Sequence, residues 1–111
     1  MTEQKHTSGP WVVDPESSRD ISPADDLRFG VASICNSDNI DGRWVFGDES
    51  KANAKLIATA PDLLADLVLA AETLRRYEAL HRAKGTAESL EKAEVNAGLA
   101  SRFEQTIAKA T

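Results

Sequence analysis

The residues of this chain able to hold a ligand are few and scattered. Trp11 and Trp44 offer large aromatic faces, Arg75 and Arg76 are adjacent guanidiniums, and Asn53 and Lys55 lie close together. A guanidinium fork matches a phosphate and stacks on a base, and an indole can stack as well. Trp11, Trp44, Asn53, Lys55, Arg75 and Arg76 therefore sketch a binding site for an anionic nucleotide rather than a reaction centre. Each also has a plainer account. The tryptophans can be core residues with their N–H groups satisfied, and the arginines a solvated helix face. Asn53, a poor helix former in the opening turns of a helix, can tie that helix to the backbone of residues 7–11.

Reaction chemistry lacks its usual arrangements. His6 and His81 are far apart, and Cys35 is a lone cysteine with no partner at metal-ligand spacing. There is no Gly-x-Ser-x-Gly, no phosphate-cradling glycine loop and no dinucleotide fingerprint. The carboxylates between Asp14 and Asp26 fall in a polar stretch with two prolines, which reads as a solvated loop rather than a catalytic pair. Cys35 reads as a small buried residue on a strand. The expectation is a protein that is not an enzyme and uses no cofactor or metal.

The elements that must position these residues divide at Asp48. The 111 residues suit one domain, 1–111, and a hydrophobic fraction of 41% supports a modest core. Residues 1–48 hold both tryptophans, Pro10, Pro15, Pro23 and four glycines, and read as strands and loops. Residues 49–111 are rich in Ala, Leu, Glu, Lys and Arg and read as helices. The formal charge of −5 resides entirely in the first part, which makes it the acidic half and argues against direct nucleic-acid binding. The fold expected is α+β: a small antiparallel N-terminal sheet of about three strands, a short helix, then a long antiparallel helical hairpin.

Strands are expected at residues 10–14, 28–36 and 43–46, the last two pairing as a hairpin across Asp41-Gly42. A short helix over 49–58 has Asp48 or Ser50 available as its cap. Thr59-Ala-Pro-Asp62 reads as a stop and restart, with Pro61 in the first turn of a second helix over 60–83. Gly85 ends that helix, and Thr86 caps a third over 87–108.

Leu63, Leu67, Leu74, Tyr77 and His81 recur at spacings of four, seven, three and four, and Leu99, Phe103 and Ile107 at intervals of four. Two long amphipathic helices carry more apolar stripe than three short strands can cover. These eight residues are expected to form the interface of a homo-oligomer, most simply a dimer. His81 on this seam reads as a half-buried interface histidine.

The polar N-terminus has no apolar signal core, and the most apolar run, residues 63–71, is interrupted by Asp66. A cytoplasmic protein without a membrane span is expected.

Two segments are familiar. His6-Thr-Ser-Gly-Pro-Trp11 and Asn53-Ala-Lys-Leu-Ile-Ala-Thr-Ala-Pro-Asp-Leu-Leu64 resemble a family of small bacteriophage and prophage proteins. Its members open His-Thr-Pro-Gly-Pro-Trp and read Asn-Ala-Arg-Leu-Ile-Ala-Ala-Ala-Pro-Glu-Leu-Leu in the middle. Ser8 and Thr59 depart from that pattern, and Lys55 and Asp62 are conservative changes. The resemblance implies a phage accessory protein working in an infected bacterial cell, and it assigns no catalytic residue. By analogy with other small phage proteins it implies counter-defence by binding. The partner would be a small nucleotide signal caged between protomers, or a host immune protein such as a CRISPR complex met by the acidic half. A structural or regulatory phage role without immune function is the remaining alternative.

Overall fold

In the computed structural model, residues 5–35 and 37–111 are described. They form two compact units, residues 5–63 and residues 64–111. The α+β architecture stands, and the differences from expectation lie in which segments make the strands and where helices start.

In the first unit, β1 (Trp11–Asp14) pairs antiparallel with β2 (Ser17–Pro23), which pairs antiparallel with β3 (Ala32–Ser33). The β1 register sets Trp11 against Pro23 and Val13 against Ile21. Asp14 turns the chain, its carboxylate accepting from the Glu16 amide at 2.9 Å. The expected loop over 14–26 is thus mostly the central strand. Its polar composition concealed it, because Ile21 is its lone large apolar residue and that side chain is fully buried.

The strand expected over 28–36 contracts to Ala32–Ser33, and its partner is β2 rather than residues 43–46. Before it, the chain winds through turns, with the Asp26 amide donating to Pro23 O and the Phe29 amide to Asp26 O. Cys35 lies outside the strand and is exposed, not buried. A separate hairpin joins β4 (Asp38–Ile40) to β5 (Arg43–Val45). Its turn residues Asp41 and Gly42 both have positive φ, 51° and 81°, as a two-residue type I′ turn requires.

The core of this unit is Ile21, Ile34, Ala54 and Ala58, with Trp11, Val13, Ala32 and Phe46 packed around it. The alanines belong to the first turns of α1, which runs unbroken over Asp48–Lys84. The stop and restart at Pro61 does not occur. Proline lacks the N–H that would bond back to residue 57, a loss that costs about 3 kcal/mol in a helix interior. Pro61 also supplies packing surface: a Cβ added to Gly9 would sit 2.7 Å from Pro61 Cβ, so the N-terminal arm can lie against the ring only as glycine. The two segments quoted for the family resemblance therefore meet in one packed region, at Gly9 on Pro61 and in the core cluster that holds Ala54 and Ala58 and against which Trp11 packs. Thr59 does not cap; its hydroxyl donates to Lys55 O at 2.7 Å within the helix.

The free amides at the start of α1 are met by Asp38, from β4, and among the described residues the Asp48 side chain makes no such bond. The Asp38 carboxylate accepts from the amides of Glu49 (2.9 Å) and Ser50 (3.2 Å) and from the buried Ser50 hydroxyl (2.7 Å). Gly47, at the position a capping side chain would occupy, is pressed against this carboxylate, and a Cβ there would land on it.

In the second unit, α1 residues 64–84 turn at Gly85, whose φ of 71° suits glycine, into α2 (Ala87–Ala110). Thr86 caps α2 as expected, accepting from the Ser89 amide at 3.1 Å. The most buried positions are small, namely Ala71, Ser89, Ala93 and Ala100, with Ile107 near the far end. Small residues let two helices approach closely, and they leave the longer side chains on the flanks.

Candidate functional site

The helical hairpin has two unlike faces. One is laced by ion pairs. Arg75 donates to Glu104 at 2.7 Å, to Glu78 at 2.9 Å and to Ser101 Oγ at 3.1 Å. Arg82 bridges Glu78 at 2.8 Å and Glu94 at 3.2 Å. Hydrogen bonds from Arg75 hold the carboxyls of Glu78 and Glu104 below the usual glutamate range, with Arg82 adding to the effect on Glu78. The same contacts, Glu104 first, raise the Arg75 guanidinium above its ordinary value, and Glu78 does so for Arg82.

The other side carries exposed apolar side chains among polar ones. Tyr77, Leu80 and His81 line a shallow groove with Ala83 and Lys84, of about 510 Å³. A second groove, about 390 Å³, runs from His81 across to Glu91, Lys92, Val95 and Asn96 of α2. Tyr77, Leu80, Val95 and Leu99 are all exposed. His81 Nδ1 is buried and has no hydrogen-bond partner among the described residues.

The six ligand candidates are divided between the units. Arg75 spends its guanidinium on Glu104, Glu78 and Ser101, so its fork is occupied by carboxylates within the chain. Arg76 is exposed and makes no ion pair among the described residues. In the other unit, Trp11 is half-buried, its indole N–H donating to Thr7 O at 3.2 Å and its ring meeting His6 edge-on at 6.1 Å. Asn53 is half-buried on α1, and Lys55 is exposed. Trp44, on β5 opposite Asn39, is 70% exposed, with Ile40 of the same hairpin also exposed.

Of the eight interface candidates, Leu63, Tyr77 and Leu99 are exposed, and Leu67, Leu74, His81 and Phe103 are half-buried. Ile107 is buried within the protomer and has little area left to offer a partner. Reading by residue type missed Asp38 as the residue securing α1, and Leu69 and Leu80, which are more exposed than most of the expected seam. The signal for the latter pair was available: with Asp66, Thr73, Tyr77 and Lys84 they follow a three-and-four spacing one step round the helix from the stripe of greater hydrophobicity.

Among the described residues, no group of three or more His, Cys, Asp or Glu is placed to hold a metal ion. No helix formed by them is long and apolar enough to cross a membrane.

These features define a small α+β protein with an exposed tryptophan on a hairpin and a helical pair that is ion-paired on one side and carries exposed apolar side chains on the other. A family model described as Salmonella phage P22 protein Y8K6 matches residues 1–111, and the chain belongs to that family of small phage proteins. No curated protein and no solved structure matches the chain.

Proposed function

We propose that this phage protein acts without catalysis, countering host antiviral immunity by binding an immune protein, and that its working form is an oligomer. The observation that carries the reading is the set of large apolar side chains held outside, above all Trp44 at 70% exposure. An exposed tryptophan on a strand of a two-stranded hairpin is the kind of side chain that anchors protein–protein contacts. The exposed acids Glu16, Asp25, Asp41, Asp48 and Glu49 favour a target with a basic surface, such as a channel that holds nucleic acid.

The rival reading, a sponge for a cyclic nucleotide signal, draws on Arg76 and Lys55, which are exposed cations. The engagement of Arg75 by two glutamates weighs against a phosphate cradle at that residue.

Plating the phage with and without this gene on defended and undefended hosts tests the counter-defence role. A deficit confined to defended hosts is expected, and equal plating on both refutes it. Calorimetric titration with a panel of cyclic nucleotides separates the mechanisms, since uniform silence removes the sponge. Binding to the immune target that weakens steeply with salt supports the acidic contact, and salt-insensitive binding overturns it.

A further inference from the structure

Along α1 within residues 64–84 one stripe ends in opposite charges. Asp66, Leu69, Thr73, Tyr77, Leu80 and Lys84 follow one another at spacings of three, four, four, three and four, which keeps them on one line of a helix. Leu69 is 60%, Tyr77 50% and Leu80 55% exposed. Asp66 and Lys84 are exposed, and neither makes an ion pair among the described residues, nor does Arg76 beside the stripe, whereas Arg75 and Arg82 each contact two glutamates. The line is about 27 Å long at 1.5 Å per residue.

This pattern is complementary to itself only when reversed. Laid against a second copy in the same direction, it would set Asp66 on Asp66 and Lys84 on Lys84. Laid antiparallel about a twofold axis at the level of residue 75, it sets Asp66 against Lys84 at both ends, Leu69 against Leu80, and Thr73 against Tyr77. That is the isologous arrangement of a twofold dimer, in which every contact occurs twice. Three large apolar side chains per copy come out of water, and the unpaired charges find partners at the rim, where they fix direction and register. We propose that the chain forms an antiparallel dimer through this α1 stripe, with Val95 and Leu99 of α2 as its margin. The proposal rests on the reading of the protein as an oligomeric binder and replaces the Leu63–Leu67–Leu74 seam, part of which is half-buried within the protomer, as the main contact.

The test is sedimentation equilibrium on the full chain, with Asp66→Lys, Lys84→Asp, the double exchange of both, and Leu80→Glu. The wild type should be dimeric in the micromolar range. Each single charge reversal should weaken the dimer by roughly fivefold or more, because it creates two like-charge contacts at once. The double exchange should return to within about threefold of wild type. Leu80→Glu should yield monomers whose circular dichroism matches wild type, because the site is exposed. A wild type that stays monomeric at about 100 μM overturns the proposal, whatever else it binds. So does a dimer indifferent to the single reversals, or a double exchange as weak as the singles. The plating assay reads the immune role independently, so the two ideas can fail separately.

Discussion

Replacing Asp38 by alanine should loosen the start of α1 although the residue lies ten positions upstream of the helix. The carboxylate accepts from two of the free amides of the first turn and from the Ser50 hydroxyl. Losing an N-cap side chain costs about 0.5–2 kcal/mol, and loss of a negative charge at the helix N-terminus adds about 0.3–1 kcal/mol. The Ser50 amide and hydroxyl belong to a fully buried residue, which places the loss toward the upper end. Together these suggest roughly 2–3 kcal/mol, or a melting temperature lower by about 10 °C or more. Asp38→Asn keeps one acceptor oxygen and should cost about half as much. Gly47→Ala drives a methyl onto the same carboxylate and should also destabilise, but much less once Asp38 is alanine. Urea unfolding of the wild type, Asp38→Ala, Gly47→Ala and their double, followed by helical dichroism, measures the cycle, and Asp38→Asn is read in the same assay. If Asp38→Ala stays within about 0.5 kcal/mol of wild type, or if the two substitutions simply add, the remote cap does not hold the helix.

Gly9→Ala brings a methyl to 2.7 Å from Pro61 and should cost about 1–3 kcal/mol in the same assay. Glu78 and Glu104 are held below their ordinary range, chiefly by hydrogen bonds from Arg75. Their contribution should therefore be complete above the unfolded glutamate value of about 4.3 and fade as pH falls through the depressed folded values. Arg75→Ala should flatten that acid limb in pH-dependent unfolding and should matter less in high salt. Trp44→Ala should change stability by less than about 0.5 kcal/mol, its ring being mostly in water, and on the proposed function it should remove the phage's advantage on defended hosts in the plating assay. Cys35 should react stoichiometrically with a thiol reagent in the native protein, and protection until denaturation would contradict its exposure.

The helical half was legible because its signals are local. Gly85 and Thr86 punctuate the hairpin where glycine and threonine chemistry predicts. The sheet half was less so, because its strands are defined by pairing rather than by pattern. β2 reads Ser-Ser-Arg-Asp-Ile-Ser-Pro, and only the burial of Ile21 and the register with Val13 make it central. Phe29 suggested a strand and is instead exposed in a turn region. Pro61 looked like a boundary because proline is costly inside a helix, and no local rule reports that Gly9 packs on its ring. For the candidate binding residues, type and spacing brought Arg75 to attention, but the carboxylates that occupy it come from both helices of the hairpin. Glu104 lies 29 residues away in sequence.

The clamp at Asp38 also fixes where α1 begins: the carboxylate that receives its first amides comes from strand β4 and not from the helix itself. Helix nucleation is the unfavourable step in forming any helix. A start pinned from outside would let winding proceed from a fixed origin, so that the length of α1 is counted from the hairpin rather than from within itself.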